Sequence, residues 1–147
     1  MPPVCFPVHL EPSGHSETKT RSGILGGAIV KNLGARKEWT KIHALSRSKK
    51  DEYPPSVEHN HIDLTGSVDE LAKDLKDVQG DYLFFAAYLQ DESEQKMCEI
   101  NGGMLRSFLQ ALHKTGAADK LKRVVLVTGA KQYMLQTGVT KLPMEES

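Results

Sequence analysis

Lys131 offers the sharpest chemistry in this chain. It lies in Thr128-Gly129-Ala130-Lys131-Gln132-Tyr133, directly after the β-branched apolar run Val124 to Val127. Such a run reads as a strand buried on both faces, as in a parallel α/β sheet. Ligands of such sheets bind beyond the carboxyl ends of the strands, which puts Thr128 and Lys131 where chemistry would occur. A lysine there can hydrogen-bond a cofactor ribose and lower the pKa of a neighbouring phenol. Tyr133 is two residues on, poor spacing for a shared site unless the loop curls. The alternative is an ordinary solvated loop lysine.

A second constellation lies upstream. Thr20-Arg21-Ser22-Gly23-Ile24-Leu25-Gly26 has the spacing of a dinucleotide fingerprint in which Thr20 replaces the first glycine. The two glycines would let a pyrophosphate approach the backbone at a helix N-terminus. The competing reading is a glycine-opened helix without a ligand, because polar Gly14 to Lys19 stands where a hydrophobic strand should precede the fingerprint. Some twenty residues on, where an acid would bind the ribose of NAD, the chain reads Ser46-Arg47-Ser48-Lys49-Lys50. Its cations and hydroxyls match a 2′-phosphate, so NADP is expected in preference to NAD, with Arg47 as the planar, charge-assisted contact. A solvated basic loop is the alternative. His59 and His61 would face one side of a strand; without a third ligand at sensible spacing, no metal site is expected.

The elements that must position these groups alternate between strand-like and helix-like from Gly23 onward, the signature of stacked βαβ units. A helix is expected from the glycine turn to Gly34, with Leu25, Ala28, Ile29 and Leu33 on its apolar face. Short strands follow at Ile42 to Ser46 and, more weakly, Val57 to Leu64. Ser67-Val68-Asp69-Glu70 is a capping box opening a helix with Leu71, Leu75 and Val78 on one face that closes at Gly80. Tyr82 to Tyr88 reads as a buried strand. A long helix starts in the acidic run Asp91 to Glu94, carries the stripe Met97, Ile100, Met104, Leu105, Phe108, Leu109 and Leu112, and ends at Gly116. Gly102-Gly103 would permit a close approach of that helix to the sheet.

The first 22 residues do not fit the alternation. Pro2, Pro3 and Pro7 are unsuited to a central strand, and 11–21 are polar, so 1–22 is expected as an irregular or disordered tail and 23–147 as a partial NADP-binding, Rossmann-like domain. At 147 residues the chain is one domain's worth. Lys plus Arg equal Asp plus Glu at 19 each, which gives no charge argument for nucleic acid or membrane and favours a small-molecule partner. Cys5 and Cys98, far apart and outside any CxxC, fit a reduced compartment, and the proline-broken N-terminus argues against a signal peptide. The cytoplasm is the expected location.

Ser22-Gly23-Ile24-Leu25-Gly26, Ser46-Arg47-Ser48, Asp63-Leu64, Phe85-Ala86-Ala87-Tyr88 and above all Thr128 to Tyr133 resemble the atypical short-chain dehydrogenase/reductases of the progesterone 5β-reductase and iridoid synthase-like (PRISE) family. The wording from Val139 to Ser147 is closest to fungal members. The resemblance runs in order from Gly23 to Ser147. It implies a Rossmann-like doubly wound parallel sheet and NADPH-dependent reduction of an activated carbon–carbon double bond beside a carbonyl, the enolate being stabilised by a tyrosine working beside the lysine. By position Lys131 is that lysine. Gly23, Ile24, Leu25 and Gly26 would line the pyrophosphate. Ser46, Arg47 and Ser48 would meet the 2′-phosphate, Asp63 and Leu64 the adenine, and Ala86, Ala87, Tyr88 and Thr128 the nicotinamide half.

The family's tyrosine lies downstream of anything present here, and Tyr133 does not match it. The expectation is therefore a sheet that is incomplete, its first strand replaced and its C-terminal part absent, from a chain truncated at both ends. It is expected to be an oxidoreductase-type domain of doubtful activity. The alternative is a non-catalytic nucleotide- or protein-binding module derived from a reductase. An unpaired final strand would invite self-association.

Overall fold

The computed structural model describes residues 4–7, 24–47 and 53–128. Its strands are β1 (Val4–Pro7), β2 (Ile42–Ser46), β3 (Val57–His61), β4 (Tyr82–Phe85) and β5 (Arg123–Leu126). The helices are α1 (Ile24–Gly34), α2 (Val68–Asp74) and α3 (Glu94–Lys114), with a 3-10 turn at Ala117–Lys120. The strands form one sheet in the order β3-β2-β1-β4-β5, every pairing parallel. Chain order runs outward from β1 in both directions, the arrangement of a doubly wound α/β fold.

That topology corrects the expectation for the N-terminus. Val4–Pro7 is not an irregular tail but the central strand, registered Val4 to Ile42 on one side and Val4 to Tyr82 on the other. The first strand is therefore present. The prolines obscured it, yet Pro2 and Pro3 precede the strand, and Pro7 is its last residue. There the ladder to β4, which pairs only Val4 and Cys5, has already stopped. A missing amide donor is least costly at such a position.

Alternation along the strands divides the core between the two faces of the sheet. Ile42 and Ala44, with Tyr82 and Phe84, turn toward α1 and pack with Val30, Leu33 and Trp39. Leu45, Leu83 and Phe85 turn the other way, onto Leu71 and Leu75 of the α2 region and Met104, Phe108 and Leu112 of α3. Helix α2 begins where its sequence specifies. Ser67 Oγ accepts from the Glu70 amide at 3.3 Å, and the Glu70 carboxylate accepts from the Ser67 amide at 2.8 Å. α3 is capped by Ser93 and stops before Gly116, whose φ of 74° suits glycine.

Other expectations need correcting. The run Val124 to Leu126 is not buried on both faces: these residues are 47%, 37% and 49% exposed, because no described element covers β5. Ile100 and Leu109 flank the buried stripe of α3 without entering it. A Cβ at Gly102 or Gly103 would meet nothing within 4 Å, so this pair mediates no close packing. The close approach is at Gly34 instead, where a Cβ would lie 2.8 Å from Pro54 Cγ. No helix among the described residues is long and apolar enough to cross a membrane.

Candidate functional site

Because all the strands are parallel, their carboxyl ends lie along one edge of the sheet, and the described candidate residues gather there. Helix α1 has its N-terminus toward this edge, with Gly26 buried in its first turn and Leu25 58% exposed. Ser46 ends β2, and Arg47 follows it. Asp63 and Leu64 follow β3, Ala86 to Tyr88 follow β4, and Thr128 lies past β5. Gly23, Ser48, Lys131 and Tyr133 lie outside the described residues. The backbone of Ile24 opens α1.

Each described candidate has a definite setting. Ser46 is 4% exposed, and its Oγ lies 2.9 Å from His59 Nε2. The ring of His59 stacks on Tyr53, centroids 5.9 Å apart and planes 15° from parallel. On the other face of the sheet, buried His43 pairs through Nδ1 with Asn60 Oδ1 at 2.8 Å. Asp63 closes an Asx turn, accepting from the Thr65 hydroxyl at 2.7 Å and the Thr65 amide at 3.0 Å. The Thr65 hydroxyl bond is the main cause holding its carboxyl below the ordinary carboxylate range. Partial burial opposes that shift, while the Thr65 amide and the charges of Arg47 and His61 reinforce it.

Side chains and backbone divide the remaining roles. Leu64 and Ala87 point into the α2–α3 core, so only their backbone can line a ligand. Tyr88 is 43% exposed, and its hydroxyl donates to Met97 Sδ at 2.6 Å. Thr128 is exposed.

Two residues to which the sequence reading assigned no nucleotide-binding role organise this edge. His59, weighed above only as half of a metal pair, is one. Asn101 of α3 is the other: its Oδ1 accepts from the Leu89 amide at 2.8 Å, while its Nδ2 donates to Leu89 O at 2.8 Å and Met97 O at 2.7 Å. The side chain thus stands in for a strand partner and fixes the loop that leaves β4. An asparagine at helical spacing within an apolar stripe is the signal that could have revealed it.

The donor set suits a dinucleotide. A helix N-terminus faces the edge at the point where strand order reverses, and the residue after β2 is a cation rather than an acid.

No family model matches the chain. Solved structures share the architecture. A short chain dehydrogenase family protein from Francisella tularensis superposes with a TM-score of 0.58 at 14% identity, over 97% of this chain and 55% of that one. A mutant uronate dehydrogenase from Agrobacterium tumefaciens, complexed with NAD, gives 0.56 at 14% identity, over 86% and 40%. The chain has a Rossmann-like, doubly wound α/β fold.

In sequence it is 45% identical over 130 residues to an uncharacterized protein of Schizosaccharomyces pombe, covering 86% of this chain and 32% of that protein. It is 29% identical over 121 residues to 3-oxo-Delta(4,5)-steroid 5-beta-reductase of Arabidopsis thaliana, covering 77% and 30%. It is 30% identical over 125 residues to (S)-8-oxocitronellyl enol synthase of Nepeta cataria, again covering 77% and 30%. The chain spans about a third of the length of these curated relatives.

Proposed function

We propose that the chain is the NADP(H)-binding part of a cytoplasmic oxidoreductase that reduces a small enone or related carbonyl compound. The observation that carries the cofactor reading is Arg47 directly past the end of β2, in a stretch without any acid from Ser46 to Lys50. A carboxylate there would favour the free ribose hydroxyl of NAD. A guanidinium favours a 2′-phosphate, which it can meet with paired, charge-assisted hydrogen bonds. The backbone of Gly23 to Gly26 would face the pyrophosphate, Asp63 and Leu64 the adenine, and the loop after β4 the nicotinamide half.

The reductase reading rests on the likeness to the steroid reductase and enol synthase together with the lysine motif after β5. A reduced nicotinamide, if bound at this edge, would supply hydride to the substrate. Lys131, in this reading, hydrogen-bonds the ribose and supports proton delivery to the oxygen that gains charge. The Asn101 clamp holds Leu89, the residue that follows Tyr88.

Titration with NADPH and NADH tests the cofactor: tighter binding of NADPH is expected, and equal or tighter binding of NADH refutes the proposal. NADPH oxidation with 2-cyclohexenone, compared with Lys131→Ala, tests the chemistry separately. Binding without turnover would favour a nucleotide-binding module without catalysis.

A further inference from the structure

We infer that His59 is a positioning residue that sets selectivity for the 2′-phosphate by holding the chain around Arg47. This rests on the NADP reading above. His59 sits in the middle of β3, registered with Ala44, and its ring reaches toward the end of β2 to place Nε2 2.9 Å from Ser46 Oγ. The same ring stacks on Tyr53. Ser46 immediately precedes Arg47-Ser48-Lys49-Lys50, and Tyr53 comes shortly after it. One imidazole therefore touches the chain on both sides of the basic stretch.

The physical need for such a tie comes from where Arg47 lies. β2 ends at Ser46, whose carbonyl accepts from the Ile62 amide at 3.2 Å, and Arg47 follows directly on that rung. A guanidinium recognises phosphate through the geometry of its fork, so displacement of its backbone is felt directly. The Ser46–His59 bond fixes the last strand residue from the side-chain direction. It also gives the buried Ser46 hydroxyl a polar partner on the neighbouring strand. The Tyr53 stack orients the ring in turn. His59 itself need not touch the ligand.

The test is titration of the unsubstituted chain, His59→Ala and His59→Gln with NADP+ and with NAD+, each variant first checked for a cooperative thermal melt. In His59→Ala, NADP+ affinity should fall about tenfold, comparable to the loss of one good charge-assisted contact, with NAD+ affinity changed less than about twofold. His59→Gln, which keeps a hydrogen-bonding group toward Ser46, should recover most of the preference. A purely structural role would weaken both nucleotides in parallel, and that result overturns the inference, as does an unchanged NADP+/NAD+ ratio in both variants. If His59→Ala does not fold, the ratio in His59→Gln against that in His59→Leu decides. Absence of any NADP+ preference in the unsubstituted chain overturns the cofactor reading, and this inference with it.

Discussion

Substituting Asn101 should reveal how firmly the loop after β4 is held. Its amide makes three hydrogen bonds, to the Leu89 amide, Leu89 carbonyl and Met97 carbonyl. At roughly 1 kcal/mol net for each bond, Asn101→Ala forfeits about 3 kcal/mol. Alanine is the better helix former by roughly 0.6 kcal/mol, so the expected net loss is nearer 2 to 2.5 kcal/mol. Asn101→Asp separates the clamp from generic packing, since it has nearly the same shape. One carboxylate oxygen can still accept from the Leu89 amide, but the other would face two carbonyl oxygens where an NH2 group now donates.

That arrangement disfavours the ionised form and raises the folded-state pKa of the introduced acid. The folded state then holds its proton more tightly than the unfolded state. Asn101→Asp should therefore lose stability as the pH rises through about 4 toward neutrality, and at pH 7 should be less stable than Asn101→Ala. Urea unfolding at pH 4 and pH 7 measures both effects, with hydrogen exchange at the Leu89 amide as a local readout. An Asn101→Asp variant within about 0.5 kcal/mol of the unsubstituted chain at pH 7 would refute the clamp.

Two further outcomes are expected. Asp63 has a folded pKa below its ordinary value, chiefly because Thr65 donates to it, so its contribution is present above the unfolded value near 4 and is lost as pH falls through the lower folded value. Asp63→Asn should flatten the acid limb of the stability curve, and an unchanged limb in urea melts would contradict the assignment. Gly34→Ala and Gly102→Ala should diverge: the first meets Pro54 and destabilises, whereas the second meets nothing and should gain roughly 0.5 to 1 kcal/mol of helix stability, read from thermal melts.

What the sequence made legible was local. The Ser67–Glu70 box, the strand Ile42–Ser46 and most of the apolar stripe of α3 declare themselves locally, and each is where its pattern places it, apart from exposed Ile100 and Leu109. β1 was hidden because it is only four residues long and closes on a proline; its identity comes from partners at Ile42 and Tyr82, far along the chain. β5 was misjudged because an apolar run reports what a strand can bury, not what lies over it. For the site, the cation after β2 was readable from spacing alone. Ser46 and His59 meet only through the parallel register of β2 with β3, and Asn101 acts across a loop that no periodicity marks.

The placement of β1 also bears on how the domain holds together when it fluctuates. Among the described residues, β2–β3 and β4–β5 share no ladder with each other, and every rung joining them passes through Val4–Pro7. Those four residues thus carry the described backbone pairing between halves that otherwise meet only through side chains, Leu45 with Leu83 and Phe85 on one face and Ala44 with Phe84 on the other. Amides in β2 and in β4 should exchange with hydrogen at the same free energy while β1 is seated. In a chain lacking Val4–Pro7 they should fall into two separate classes, so the N-terminal segment is the seam along which this protein would come apart.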